Sequence, residues 1–311
     1  MKRRIPLILI TLSLVVAGML LYAAMQEMVG ELNEGRTTQS TRVHGAALAG
    51  EADAIRREVQ SGTDLNAIDQ TPGARTFGLT PLMAAAFAGQ TDTMQALIDA
   101  GARADARGRD GRTALFYAAG WGGLESVRLL LEATPPARVD ARSDDGWTPG
   151  MMAAMRGQTE ALRALIAAGA NIDAKNRWGQ TALGLAVEAD SPEMVRALLQ
   201  GGASVHEPDN QGRTPLALAA ASAEHSVELL EMLLAAGANP NTADREGVTP
   251  LMRAADRGDG ARVILLLNHG AESDRRDNNG QSALDWARNR GDDELGRQVV
   301  GILEQAPGGT R

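Results

Sequence analysis

Three regimes of hydrophobic and polar positions follow one another along the chain. From Ile5 to Ala24 (IPLILITLSLVVAGMLLYAA) twenty positions pass without a charge. At about 1.5 Å rise per residue this predicts one helix long enough for the roughly 30 Å hydrocarbon core of a bilayer. Residues 26–42 (QEMVGELNEGRTTQSTR) are polar and lack apolar periodicity, which predicts a flexible tether; fully extended it reaches at most about 60 Å. From Val43 on, runs of small apolar residues alternate with stripes at helical spacing, such as Met94, Leu97 and Ile98, with glycines between them. That pattern predicts a series of short paired helices.

The third regime repeats. Thr80-Pro81-Leu82, Thr113-Ala114-Leu115, Thr148-Pro149-Gly150, Thr181-Ala182-Leu183, Thr214-Pro215-Leu216, Thr249-Pro250-Leu251 and Ser282-Ala283-Leu284 recur at spacings of 33, 35, 33, 33, 35 and 33 residues. A Gly lies two residues before each Thr or Ser, from Gly78 to Gly280, and a Gly-Ala pair such as Gly101-Ala102 follows five of them. The residue types suit helix ends. Thr accepts from the orphan N–H groups of a first turn, and Pro after it loses no hydrogen bond. Gly101 supplies the left-handed stop. A shorter copy runs from Val43 to Gly50, and its longer link predicts an irregular loop at Thr71–Leu79.

These marks resemble the ankyrin repeat, whose T-P-L-H-x-A opening and 33-residue period are matched over residues 41 to about 304. The resemblance implies an all-α ankyrin-repeat solenoid, with a helix-turn-helix and a hairpin-like loop per repeat, preceded here by one N-terminal transmembrane helix. The boundaries read as an N-terminal cap at 43–79, repeats at 80–112, 113–147, 148–180, 181–213, 214–248 and 249–281, a C-terminal cap at 282–304 and a disordered tail at 305–311. End repeats act as caps because they show water a face that the others bury.

The sequence departs from the family pattern. The His after T-P-L survives only as His44; elsewhere Met83, Phe116, Met151, Gly184, Ala217, Met252 and Asp285 stand there. The Thr–His hydrogen bonding associated with the family is therefore expected to be missing, replaced by apolar packing or nothing. Gly150 replaces a core Leu and is expected to weaken its repeat. Pro135-Pro136 replaces the Gly-Ala turn, and two further residues enter around Ala223-Glu224-His225.

Charge sharpens the reading of the N-terminus. Lys2-Arg3-Arg4 precede the apolar run and Glu27, Glu31 and Glu34 follow it. By the positive-inside rule residues 1–4 stay cytoplasmic, 5–25 anchor the chain and the rest is exported. For a bacterial protein this is a single-pass inner-membrane chain with a periplasmic array. The alternative is a cleaved signal peptide, giving a soluble periplasmic or secreted protein. Its apolar stretch is usually about 7–15 residues, and Leu21-Tyr22-Ala23-Ala24 lacks a small-x-small site. The net charge of −8 argues against nucleic-acid binding. The absence of cysteine excludes disulfides, thiolate nucleophiles and Cys-ligated metals.

Catalytic constellations are not found. The four His residues lie in different repeats without metal-ligand spacing, and His206 takes a loop position held elsewhere by Asp105, Asp140, Asp173, Asn241 and Asp274, so a loop-stabilising role is expected for it. Gly120-Trp121-Gly122-Gly123 reads as a turn between helices. Arg-Gly-Asp at 257–259 and 290–292 falls twice at the same helix-to-helix turn, so a structural role is expected rather than integrin recognition. No enzyme activity, cofactor or metal is expected.

The resemblance implies binding of another protein through loop tips and first helices, which line a concave face. On matched positions the candidates are Phe87, Arg109, Arg112, Trp121, Trp147, Met155, Arg156, Arg177 and Trp178. Trp121, Trp147 and Trp178 occupy positions that the family leaves variable and exposed, in successive repeats, and should lie near one another. Trp286 and Tyr117 read as core. The implied function is a membrane-tethered, monomeric scaffold or adaptor. The alternatives are a dedicated inhibitor or immunity protein covering one exported enzyme and, from another class, an enzyme with an atypical loop site.

Overall fold

The computed structural model of the chain describes residues 39–221, 227–290 and 293–306. Among them the fold is helical without strands: α1 (Gln39–Ala49), α2 (Ala52–Gln60), α3 (Pro81–Phe87), α4 (Thr91–Asp99), α5 (Ala114–Tyr117), a π-helical turn (Ala118–Gly122), α6 (Gly123–Glu132), α7 (Pro149–Met155), α8 (Thr159–Ala167), α9 (Ala182–Glu188), α10 (Pro192–Gln200), α11 (Pro215–Ala221), α12 (Val227–Ala235), α13 (Pro250–Arg257), α14 (Gly260–Asn268), α15 (Ala283–Asn289) and α16 (Glu294–Gln305). Each first helix packs on the first helices before and after it, and the second helices do likewise, which gives two layers around one continuous core.

Residue size explains the layering. The first helices carry buried alanines (Ala84 to Ala86, Ala118-Ala119, Ala153-Ala154, Ala219-Ala220, Ala254-Ala255), so their backbones can stack closely. The second helices bring Met94, Leu97, Leu130, Leu162, Leu165 and Leu198, all fully buried, to the same core that Leu82, Leu115, Phe116 and Met151 enter from the first helices. Each such side chain contributes roughly 1.5–3 kcal/mol.

Every Thr or Ser of the repeat caps its helix. Thr80 accepts from Met83 N–H at 3.3 Å, Thr113 from Phe116 at 3.4 Å, Thr148 from Met151 at 3.2 Å and Thr181 from Gly184 at 3.2 Å. Thr214, Thr249 and Ser282 accept from Ala217, Met252 and Asp285 at 3.3 Å. Such a cap is typically worth about 1 kcal/mol. The reciprocal bond expected to be absent is present at the last repeat, which corrects that expectation: the Asp285 carboxylate accepts from Ser282 N–H at 2.9 Å and from its hydroxyl at 2.7 Å. Asp reaches the N-cap amide much as the Glu or Gln of a capping box does. Met83 and Met252 set only a sulfur, a weak acceptor, 3.5 and 3.4 Å from the N–H of Thr80 and Thr249.

The loops form a second spine. Arg109 N–H donates to Gly78 O (2.9 Å), Asp144 to Asp110 (3.0 Å), Arg177 to Asp145 (2.9 Å), Asn210 to Trp178 (3.0 Å), Arg245 to Gln211 (2.9 Å) and Asn278 to Glu246 (3.0 Å). Within the later loops, the side-chain oxygens of Asn176, Asp209, Asp244 and Asp277 each accept two backbone N–H groups. Asp140, Asp173 and Asn241 staple one repeat to the next, accepting from the N–H of Asn171, Ser204 and Glu272 at 2.9, 2.9 and 2.8 Å. The His206 ring, in the same register, makes no such bond among the described residues, so the role expected of it is not observed. The His206 backbone N–H donates to Ser204 Oγ at 3.3 Å.

Three boundaries differ from expectation. Residues 39–42, read as tether, belong to α1, which is held by the burial of Val43 and Ala47 and by a 2.9 Å bond between the Thr41 and Thr71 hydroxyls. The final helix continues through Gln305. The turn expected at Gly120–Gly123 is a π-helical passage with its left-handed residue at Gly123 (φ 76°). The segment Ile5–Ala24, expected to be an anchor, Ala223-Glu224-His225 and residues 307–311 lie outside the described residues; among the described ones no helix is long and apolar enough to cross a membrane.

Gly150 sits inside α7 with room to spare: an added Cβ would meet only Thr148 Oγ1 at 3.8 Å and Leu162 Cδ1 at 3.9 Å. Gly150→Ala is expected to stabilise the array by about 1 kcal/mol, from lower unfolded-state entropy and added packing. Urea denaturation checks it, and an unchanged or lower midpoint would show that the space is already used.

Candidate partner-binding surface

The loop tips and the first helices present the candidate residues in two groups, one at each end of the short first helices. At the carboxyl ends, Phe87, Tyr117 and Trp121 form one aromatic cluster. Ring centres are 5.3 Å apart for Phe87–Trp121, 6.0 Å for Tyr117–Trp121 and 6.2 Å, edge-on, for Phe87–Tyr117. Phe87 is 40% exposed and Tyr117 buried. Met155 is half-buried and Arg156 exposed, its guanidinium carbon 4.9 Å from the Trp121 ring centre.

At the loop tips, the Trp147 and Trp178 rings meet edge-to-face with centres 6.4 Å apart. Arg177 lies over Trp178 (5.3 Å) and pairs with Asp145 at 2.5 Å. Arg109 lies over Phe77 (4.9 Å), and Arg112 over Phe116 (5.0 Å) while pairing with Asp110 at 2.9 Å.

Two expectations change here. No ring contact among the described residues joins Trp121 to Trp147 or Trp178, so the three tryptophans belong to two groups. Trp147 is only 9% exposed and part of the core, against 41% for Trp178. The cause is loop geometry. A side chain just before the repeat Thr turns under the loop, as Leu79 and Val248 also do at that position, whereas the residue before the loop Gly points outward. Trp147 is fixed by Ser143, which donates its N–H to Trp147 O (2.9 Å) and accepts Trp147 N–H on its hydroxyl (3.1 Å).

Further along the array the same face becomes a polar network that the sequence did not single out. Asn176 Nδ2 donates to Gln180 Oε1 (3.0 Å), and Gln180 Nε2 to Glu188 Oε2 (2.9 Å). Arg213 Nη2 lies 2.6 Å from Asp209 Oδ2 and 3.7 Å from Glu188 Oε1. Trp286, read as core, is half-buried and donates its indole N–H to Asp277 at 3.0 Å. The available signal was a carboxylate at the register of Phe87 and Met155, with Gln and Arg before successive repeat threonines.

Burial pushes the Glu188 carboxyl above the usual glutamate value; Arg213 opposes the rise, Asp209 adds to it and the Gln180 bond opposes it. Since the folded state holds this proton more tightly than the unfolded one, its favourable contribution is full below the usual glutamate value. That contribution is lost as pH rises through the raised one. Glu188→Gln, which keeps an acceptor for Gln180, is expected to raise the urea midpoint at pH 7 and to leave it unchanged below about pH 4. An equal effect at both pH values would rule out the titration.

Both halves of the Arg-Gly-Asp at 257–259 are committed to structure. Arg257 Nε donates to Ala221 O at 2.7 Å, Gly258 is left-handed, and Asp259 caps α14 through Arg262 N–H at 3.0 Å. In the second copy Arg290 donates to Asp256 O at 3.0 Å; Gly291 and Asp292 lie outside the described residues.

The family profile described as ankyrin repeats (3 copies) matches residues 43–142, 134–209, 150–244 and 219–300. A search of curated proteins gives no match.

Proposed function

Because the chain belongs to the ankyrin-repeat family, whose repeats are generally protein–protein interaction modules, we propose that it is a scaffold or adaptor whose partner docks across the first-helix ends and loop tips. The observation that supports this is the pair of large aromatic side chains, Phe87 and Trp178, that stay exposed on this side of repeats whose other large apolar groups are mostly covered. An arginine accompanies each aromatic group, Arg156 over Trp121 and Arg177 over Trp178. Trp and Arg are the residues most enriched among binding hot spots.

The same proposal places the module at a membrane. Ile5–Ala24 is its anchor and Lys2-Arg3-Arg4 its cytoplasmic flank, with the array on the exported, periplasmic side. Photocrosslinking in intact cells, with a photoreactive residue at position 87 or 178, is expected to capture one or a few exported proteins. Failure to capture any protein from either position would sink the reading of this face. A reporter fused after Arg311 that is active only in the cytoplasm would overturn the topology alone.

A further inference from the structure

Arg156, Arg257 and Arg290 stand at one register, each eight residues after the Thr or Ser of its repeat. Two of them do the same task. Arg257 donates to Ala221 O at 2.7 Å and Arg290 to Asp256 O at 3.0 Å, each satisfying the carbonyl end of the preceding first helix. Arg290 also pairs with Asp293 at 3.1 Å.

Arg156 departs from this pattern. The corresponding carbonyl would be that of Gly120, which lies in the π-helical turn. The Arg156 stem instead crosses Gly120, where an added Cβ would lie 3.6 Å from Arg156 Cγ, and its guanidinium comes to rest over Trp121. A ring face attracts a cation without taking its N–H groups, so the donors of Arg156 stay uncommitted. No carboxylate pairs with it among the described residues. Nearby acids are already matched: Glu160 of α8 with Arg163 (3.7 Å), and Glu188 of α9 with Gln180 (2.9 Å) and Arg213 (3.7 Å). At the far end of the first helices the loop-tip acids Asp110, Asp144 and Asp145 pair with Arg112, Arg107 and Arg177. A chain of net charge −8 therefore presents, beside its exposed Phe87, a cation that lacks an anion.

We infer that the Phe87–Trp121–Arg156 cluster receives a partner segment in which a carboxylate lies within about three residues of an apolar side chain. The apolar group covers Phe87 and the Trp121 edge, and the carboxylate takes the open fork of Arg156, a charge-assisted pair that a guanidinium suits by geometry. This inference rests on reading the face as the binding surface and adds the chemistry of its partner.

The test uses the full-length chain in detergent micelles and two sets of fluorescein-labelled ten-residue peptides. One set carries Asp or Glu two residues after Leu or Phe; the other carries Asn or Gln instead. Anisotropy is expected to show the acidic set binding at least about tenfold more tightly. Arg156→Gln is expected to abolish that preference while leaving the amide set unchanged, and Phe87→Ala to weaken both. Arg156 is exposed, so its variant should fold, which circular dichroism verifies. Equal affinities, a preference that survives Arg156→Gln, or no binding of either set up to about 1 mM would overturn the inference. So would a concentration-dependent dimer lost in Arg156→Gln, which would assign the face to a second copy. A cellular partner whose capture needs Phe87 but ignores Arg156→Gln would defeat the acidic partner alone. Capture indifferent to both would defeat the reading of the face.

Discussion

Gly179→Ala is expected to lower the unfolding free energy of the array by about 3 kcal/mol and to split its unfolding into two steps. Gly179 combines a left-handed backbone (φ +78°) with close approach: a Cβ there would lie 2.7 Å from Asn210 N and 3.0 Å from Asp209 C, both backbone atoms of the next loop. The left-handed conformation alone costs an alanine roughly 1–2 kcal/mol, and overpacking adds about 1–3 kcal/mol. Gly169 is the control, since its φ is +83° and no atom lies within 4 Å of an added Cβ. Gly169→Ala should therefore show the backbone cost without the clash.

The consequence reaches beyond one loop because a repeat array is stabilised mainly by nearest-neighbour interfaces. Pushing the loop that ends at Gly179 off its neighbour breaks the Asn210 N–H to Trp178 O bond and loosens the joint between α9 and α11. Repeats before and after the joint then unfold separately. Urea titrations followed by circular dichroism and by tryptophan fluorescence would separate, since three of the four tryptophans, Trp121, Trp147 and Trp178, lie on the amino-terminal side. Equal losses for Gly179→Ala and Gly169→Ala, with one transition in each, would show that the loop spine does not couple the repeats.

What was legible in the sequence is what local chemistry decides. The Thr caps, the Pro that follows four of them and the left-handed glycines act within a few residues, so their recurrence marked the helix pairs. Features that depend on contacts between repeats were not legible. The π-helical turn is one. Gly122 packs where a Cβ would meet the Ala86 carbonyl at 2.4 Å, and Ala86 belongs to the preceding repeat. Asp285 stands three residues after Ser282, the spacing of a capping residue, and takes the place of the family His with a carboxylate instead of an imidazole. The Glu188–Arg213 network joins residues of successive repeats, and only the stacking of first helices brings them together.

Trp147 and Trp178 show the same limit within one class of residue. Both stand in a variable loop, the place expected of binding residues, yet Trp147 is buried beneath the loop and Trp178 lies exposed over it. The array should answer accordingly. The double variant Phe87→Ala with Trp178→Ala is expected to weaken partner binding at least about 100-fold, close to 3 kcal/mol, a larger loss than the accompanying fall in unfolding free energy. Phe87 and Trp178 are already two-fifths exposed without a partner, so removing each costs the free protein less than removing a buried ring does. Trp147→Ala should do the reverse, destabilising the fold by about 3 kcal/mol through the cavity it leaves. Any loss of binding it causes should track the unfolded fraction and vanish where the variant is fully folded. Titration of a captured partner against each folded variant, beside urea denaturation of each, separates the outcomes. Should Trp147→Ala weaken binding in the folded state as much as the double variant does, the partner reads the packing beneath the loops and the exposed rings are not its anchor. Should neither affect it, the hot spot lies on the polar half of the face, where Glu188, Arg213 and Trp286 would be the next residues to change.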